Sequence, residues 1–88
     1  MKKEYYWKST TVRNVNKGEY VSGVRATHPR KVAAITRNIE NCTITLHEKM
    51  YDGSMHDYLT KSPDYIIDVL CYDDENGVST REIADKLQ

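Results

Sequence analysis

The stretch 42-CTITLHE-48 carries the clearest strand pattern in the chain. Apolar residues at positions 42, 44 and 46 alternate with polar residues at 43, 45 and 47, which is the period of a strand with one buried face. Asp52-Gly53, the preferred dipeptide of a tight hairpin turn, follows this stretch. Residues 54–60 can return as the partner strand, so the sequence predicts an antiparallel hairpin here.

A second hairpin is predicted upstream. Residues 5–15 are rich in aromatic, Thr and Val residues, which favour a pleated, half-buried surface. Asn16-Lys17-Gly18 is a turn signal, and residues 20–24 resume the extended character. Residues 5–24 are therefore interpreted as two strands joined by a loop of three or more residues.

A central helix is expected between the two hairpins. Pro29 suits a first helical turn, where its missing N–H group is not needed. Val32, Ile35 and Ile39 follow i, i+3, i+7 spacing and would form one apolar stripe. Arginines at positions 30 and 37 would lie on the opposite face, giving an amphipathic helix with a basic exterior that ends near residue 41.

Two further helices are expected in the C-terminal part. Ser62-Pro63-Asp64 is a typical helix start, so residues 65–70 are interpreted as helical. The same apolar run also fits a buried strand, an alternative that the sequence leaves open. Residues 73–77 are expected to form a loop, and Ser79 or Thr80 to cap a final helix that reaches Leu87.

The predicted architecture is a small α+β domain with the order ββαββαα, spanning residues 1–88 as a single domain. Two hairpins would form an antiparallel sheet, and the central and C-terminal helices would pack on it around one shared core.

The tail resembles part of a known DNA-binding class. Residues 64–88, and "GVSTREIADKLQ" (77–88) in particular, resemble the first two helices of winged or simple helix-turn-helix domains. In that class the helix that reads bases comes after this point. The acidic residues of the segment would also face phosphates unfavourably. The tail is therefore interpreted as a capped amphipathic helix that packs Ile83 and Leu87 inward.

Composition narrows the class of protein. The chain has no 18-residue apolar run and no apolar stretch after Met1, so neither a membrane span nor a signal peptide is predicted. Two cysteines favour a cytoplasmic protein without disulfides. Charge is uneven. Residues 1–44 hold nine Lys/Arg against three Glu (+6), and residues 45–88 hold four against ten Asp/Glu (−6), a hint of a charged partner.

Enzymatic and metal-dependent activities are not expected. The loop expected at residues 73–77 is acidic, but the carboxylates that a calcium loop needs at its first and last positions are missing. The Cys and His residues lack the spacing of zinc ligands. No phosphate loop or nucleophile motif occurs, and Cys42 and His47 fall on opposite strand faces. We therefore expect a non-enzymatic protein without a cofactor or metal.

Basic residues interleaved with aromatic rings form the candidate site. Such a surface suits binding to a protein, where Tyr, Trp and Arg dominate the energetics. The candidate partner-binding residues are Tyr5, Tyr6, Trp7, Arg13, Tyr20, Arg25, Arg30, Lys31 and Arg37.

The leading hypothesis is a protein-binding module. In style the chain resembles the small accessory proteins of bacteriophages and mobile elements, which bind a host protein and modulate or inhibit it by blocking or mimicry. The alternative is nucleic-acid binding through the basic N-terminal half. A homo-oligomer that pairs the positive and negative halves is a third hypothesis.

Overall fold

The fold is built from short strands. A computed structural model describes residues 3–22 and 29–84, which contain no α-helix and hence no helix long or apolar enough to cross a membrane. The elements are β1 (Tyr5–Thr11), a 3-10 turn (Val12–Asn14), β2 (Tyr20–Val21), β3 (Arg30–Lys31), β4 (Ala34–Asn38), β5 (Thr43–Lys49), β6 (Met55–Lys61), β7 (Ile66–Asp73) and β8 (Ser79–Arg81).

Strand β7 organises the larger, five-stranded sheet. Ile67, Val69 and Cys71 are buried and their neighbours are more exposed, so β7 shows the period of two expected of a strand with one core face. All seven residues of β1 pair along one side of β7 in antiparallel register. The other side of β7 pairs with both β2 and β8, and β3 extends the sheet beyond β2.

The smaller sheet has the order β4-β5-β6 and contains the predicted second hairpin, which is confirmed. The Asp52-Gly53 turn is also confirmed: Gly53 has a φ of +91°, and Asp52 Oδ1 accepts a hydrogen bond from the Ser54 amide at 2.8 Å. The register shifts after Leu46, which leaves Tyr58 as an extra residue, a β-bulge. Tyr58 and its neighbour Leu59 therefore both pack on the core.

The core lies between the two sheets, and the chain passes from one sheet to the other at residues 32–33. The Ala33 amide donates to the His47 carbonyl at 2.7 Å, which fixes this crossover against β5. Strands that switch sheets in this way are common in small β-sandwiches. The buried core residues are Val12, Val15, Val21, Val32, Ile44, Leu46, Leu59, Ile67, Val69 and Cys71.

The prediction of a central helix is wrong. Val32 and Ile35 both contact the core, but Val32 lies in the crossover after β3 and Ile35 lies in β4 of the other sheet. The strand period of two is interrupted where the chain changes sheets. Residues 32 and 35 therefore both face the core, and their spacing of three only resembles that of a helix. Ile39 is 91% exposed in the turn before β5.

The prediction of C-terminal helices is also wrong. The Ser62-Pro63-Asp64 signal forms a turn, closed by a hydrogen bond from the Tyr65 amide to the Ser62 carbonyl at 3.0 Å, and a strand follows it. Residues 74–77 form the predicted loop, but it is a hairpin turn between β7 and β8. Ile83 is 48% exposed, and Leu87 lies outside the described residues.

The first predicted hairpin is wrong in its pairing. Residues 5–11 and 20–21 are strands, but β7 lies between them in the sheet. The described fold is therefore a small antiparallel all-β domain and not the α+β order ββαββαα. Each of these two strands pairs with β7, which is distant in sequence, and not with the other strand across the local turn. Local sequence signals do not predict such pairing, because strand stability depends on the cross-strand neighbours.

Candidate functional site: the free edge of β1

Strand β1 is an edge strand. Among the described residues it pairs with β7 alone, with residues 5–11 opposite 72–66 in unbroken one-to-one register. The next pair, Val12 and Tyr65, is hydrogen-bonded, with the Val12 amide 3.0 Å from the Tyr65 carbonyl. Antiparallel bonding alternates, so Tyr5, Trp7, Ser9 and Thr11 point their backbone N–H and C=O groups away from β7.

This edge carries few of the features that protect exposed strands. Edge strands are usually short, bulged, interrupted by proline or rich in charge. By contrast β1 has seven residues, no proline, no bulge and one charged side chain, Lys8. Its first half is aromatic and accessible, since Tyr5, Tyr6 and Trp7 are 47%, 37% and 41% exposed.

The aromatic residues of β1 divide between the two faces of the sheet. Tyr5 and Trp7 lie on the outer face, opposite Tyr72 and Leu70 of β7. The Tyr5 and Tyr72 rings meet edge to face, with centroids 6.1 Å apart and an interplanar angle of 79°. Val21 pairs with the buried Val69, so alternation places Tyr20 on the same outer face.

A polar network holds the outer-face tyrosine in place. Tyr5 OH donates to Glu82 Oε2 at 2.9 Å, and Lys3 Nζ lies 3.5 Å from the other carboxylate oxygen. The same ammonium group sits 4.2 Å from the centre of the Tyr72 ring. The hydrogen bond to Glu82 raises the pKa of Tyr5, because ionisation would remove the donor.

Tyr6 is anchored on the opposite face. Its hydroxyl lies 2.8 Å from Ser79 Oγ and 2.7 Å from Asp73 Oδ1, so with one hydrogen it donates to the carboxylate and accepts from the serine. The Ser79 bond would lower the pKa of Tyr6, but the Asp73 bond, desolvation and the Asp73 charge outweigh it and raise that pKa. Side-chain hydrogen bonds therefore hold the hydroxyl groups of both Tyr5 and Tyr6.

The described basic residues of the predicted site are spread over separate elements of the fold. Arg30 Nη1 contacts both carboxylate oxygens of Glu48, at 2.7 and 3.0 Å, and Arg13 pairs with Asp64. Arg37 lies on β4 of the other sheet. Lys31 pairs in register with Tyr20, and Arg25 lies outside the described residues.

Sequence reasoning missed the β7 and C-terminal part of this surface. Leu70 and Tyr72 line the outer face, and Glu82 orients Tyr5. The available signal was the apolar residue at every second position, 67, 69 and 71. The helix-start triplet at residues 62–64 comes before it and led to the prediction of a helix.

One polar cluster has the chemical order of a catalytic triad. Thr36 Oγ1 lies 2.8 Å from His47 Nε2, and His47 Nδ1 pairs with Asp57. These residues occupy neighbouring strands of the smaller sheet, and both Thr36 and Asp57 are exposed. An open sheet face does not provide the water-excluding site or convergent oxyanion donors that such catalysis needs. The hydrogen bond and the ion pair of this cluster join the three strands of the smaller sheet to one another.

Within residues 3–22 and 29–84, no group of three or more His, Cys, Asp or Glu side chains is placed to hold a metal ion. Neither protein-family models, nor curated proteins, nor solved structures give a match to this chain.

Proposed function

We propose that this protein is a non-enzymatic protein-binding module that takes an extended segment of a partner chain as an added strand beside β1. The observation that carries the proposal is the free edge, a seven-residue strand whose residues 5, 7, 9 and 11 direct backbone groups outward. In strand addition the main-chain hydrogen bonds supply affinity and the alternate side chains supply specificity.

The side chains of β1 define what the partner should carry. Trp7 and Tyr5 offer large apolar area on the outer face, where the partner would place an apolar or aromatic residue. Lys8 projects from the other face and has no ion pair with another described residue. A carboxylate opposite Lys8 would be favourable in a cross-strand pair.

Lys8 also disfavours a second copy of β1 as the occupant. It is the middle residue of β1, so a fully overlapping antiparallel pair of two copies would place Lys8 against Lys8. Like charges directly opposite each other destabilise a pair of strands. An acidic partner segment would be held instead, and binding would act by sequestering that segment from other contacts.

Nucleic-acid binding through the N-terminal half has weaker support. Arg13 and Arg30 are already paired with carboxylates, and Arg37 belongs to the other sheet. A continuous track of free cations beside exposed rings, which single-stranded nucleic acid requires, is not formed by these residues.

The test is a matched pair of substitutions at Ser9 combined with peptides selected from a random display library. Ser9→Pro removes an outward N–H and leaves the ladder to β7 intact, because the ladder uses residues 6, 8 and 10. Ser9→Ala keeps the N–H and loses only the side-chain hydrogen bond to Asp68. Selected peptides should bind the wild type and Ser9→Ala alike, and bind Ser9→Pro roughly tenfold or more weakly.

A second readout covers the case in which Ser9→Pro does not fold. Bound peptide should slow hydrogen exchange at the amides of Trp7, Ser9 and Thr11, and Trp7→Ala should weaken binding. Equal binding by folded Ser9→Pro, or exchange protection elsewhere only, would refute strand addition at β1.

A further inference from the structure

A cleft lies away from β1, where four segments of the chain meet. Its volume is about 770 Å³, and its walls come from the turn before β2, the end of β3 with the crossover at residues 32–33, the end of the β5–β6 hairpin, and residues 83–84. None of its lining residues belongs to β1. What it binds is thus independent of the proposed function.

Three lysines line this cleft. Lys17, Lys31 and Lys49 come from three separate segments, and none of the described lining residues is a carboxylate. None of the three ammonium groups forms an ion pair with another described residue. Arg30 and Arg81, by contrast, are each neutralised by a glutamate. The cleft is therefore lined by three ammonium groups that are not held in ion pairs within the described part of the chain.

The rest of the wall is apolar. Met55 and Ile83 supply its accessible apolar surface, and both are exposed large hydrophobic residues. Gly18 keeps the turn close to Ile83, since a Cβ at position 18 would lie 3.3 Å from Ile83 Cγ2. Apolar walls with a few convergent charged groups are the usual composition of small-molecule sites, and the volume falls within their range of roughly 300–1,000 Å³.

We infer that this cleft binds a small organic phosphate that carries several negative charges and an apolar or aromatic body, the chemistry of a nucleoside di- or triphosphate. Lysine ammonium groups recognise phosphate as point charges and bring three donors each. The apolar wall would contact the base or an equivalent body. Four separate segments line the cleft, which suits a compact ligand better than the open track needed by a nucleic-acid strand.

Calorimetric titration tests this with four probes: ATP without magnesium, pyrophosphate, adenosine and a short single-stranded oligonucleotide. ATP should bind, pyrophosphate should bind more weakly, and adenosine should not bind detectably. ATP affinity should fall as salt rises, because ion pairing at an open cleft is screened. Absence of ATP binding at low salt, or tighter binding of the oligonucleotide than of ATP, would overturn the inference.

Charge-matched variants locate the site. Lys17→Gln, Lys31→Gln and Lys49→Gln should each weaken ATP roughly tenfold, the effect expected from losing one charged hydrogen bond. Lys61→Gln removes the same charge on β6, outside the cleft, and should leave ATP affinity unchanged. Met55→Glu adds a carboxylate to the wall and should abolish binding while thermal unfolding stays near that of the wild type. Equal weakening by Lys61→Gln would show non-specific attraction and contradict the assignment.

Discussion

Arg81 Nη1 donates a hydrogen bond to Glu19 Oε1 at 3.0 Å, which joins β8 to the residue before β2 across 62 positions of sequence. Glu19 is only 3% exposed. Glu19 Oε1 also accepts a hydrogen bond from the backbone N–H of Asn16 at 2.8 Å, and Arg81 Nη1 donates a hydrogen bond to the Asn14 backbone carbonyl. The carboxylate is therefore buried but satisfied, and Arg81 is the one cation paired with it among the described residues.

Arg81→Met is expected to lower the free energy of unfolding by about 3–5 kcal/mol, because it leaves the Glu19 carboxylate buried without a countercharge. Urea unfolding measures the effect. Arg13→Met is the control, since the Arg13–Asp64 pair is exposed and should be worth about 0–1 kcal/mol. Glu19→Gln combined with Arg81→Met should recover most of the loss. Equal effects at positions 81 and 13 would contradict this account.

Tyr58→Phe is expected to stabilise the protein by about 1 kcal/mol. The Tyr58 hydroxyl is buried and has no hydrogen-bond partner among the described residues, so the folded state bears its desolvation cost. Urea midpoints should therefore rise in Tyr58→Phe. Tyr6→Phe is the matched comparison and should lower the midpoint, since it deletes the contacts with Asp73 and Ser79. A lower midpoint for Tyr58→Phe would show that the hydroxyl is satisfied by water.

Stability should decline in alkaline solution. Burial first, and then the charge of Glu48, raise the pKa of Tyr58, and the pKa of Tyr5 is also raised above its ordinary value of 10.0. A phenol whose folded pKa is raised stabilises the fold fully below the unfolded pKa, and this contribution is lost as pH rises beyond 10. Urea midpoints should therefore be flat approaching pH 10 and fall above it.

Two phenylalanine variants assign the alkaline decline. Tyr58→Phe should flatten it more than Tyr5→Phe, because burial shifts the pKa of Tyr58 further than hydrogen bonding shifts that of the exposed Tyr5. An unchanged decline in both variants would place the responsible group elsewhere.

The second hairpin could be predicted because its information is local. Alternation in residues 43–49 and the Asp52-Gly53 turn specify strand, turn and strand within one segment of the chain. The same kind of reasoning failed at residues 62–71, where a helix-start triplet conflicted with alternating buried residues. Pairing of β7 with three other strands decided that conflict, and the most distant pair, Tyr5 and Tyr72, is 67 residues apart in sequence.

The candidate site was only partly accessible to sequence reasoning for the same reason. The aromatic cluster of residues 5–7 is visible in the sequence, and so is the charge of Lys8. Whether β1 is a free edge depends on which strand pairs with it. The neighbouring residues Leu70 and Tyr72 follow from the register of that pairing. The lysine cleft was not predictable, because its three cations come from segments that meet only in the folded chain.

Gly53→Ala should destabilise the β5–β6 hairpin by about 1 kcal/mol, because Gly53 has a φ of +91°, a region that L-residues with a Cβ disfavour. Apart from its chain neighbours, no described residue has a heavy atom within 4 Å of where a Cβ at position 53 would lie, so the cost is conformational and not steric. Gly53→Asn should cost less, since asparagine tolerates left-handed backbone better. Thermal unfolding ranks the three proteins, and a larger loss for asparagine than for alanine would contradict a purely conformational cost.

Lys8→Val should make the protein self-associate. Lys8 is the one charge on the exposed β1 edge, and in a fully overlapping antiparallel pair of two copies it would face itself. Valine removes that repulsion and favours strand pairing, so light scattering should report a larger mass that grows with protein concentration. Lys8→Glu preserves a like-charge contact at the same position and should scatter as the wild type does. Adding Ser9→Pro to Lys8→Val should suppress the association, because the outward N–H of residue 9 is then missing. Association that persists in this double variant would mean that the added valine acts through a surface other than the β1 edge.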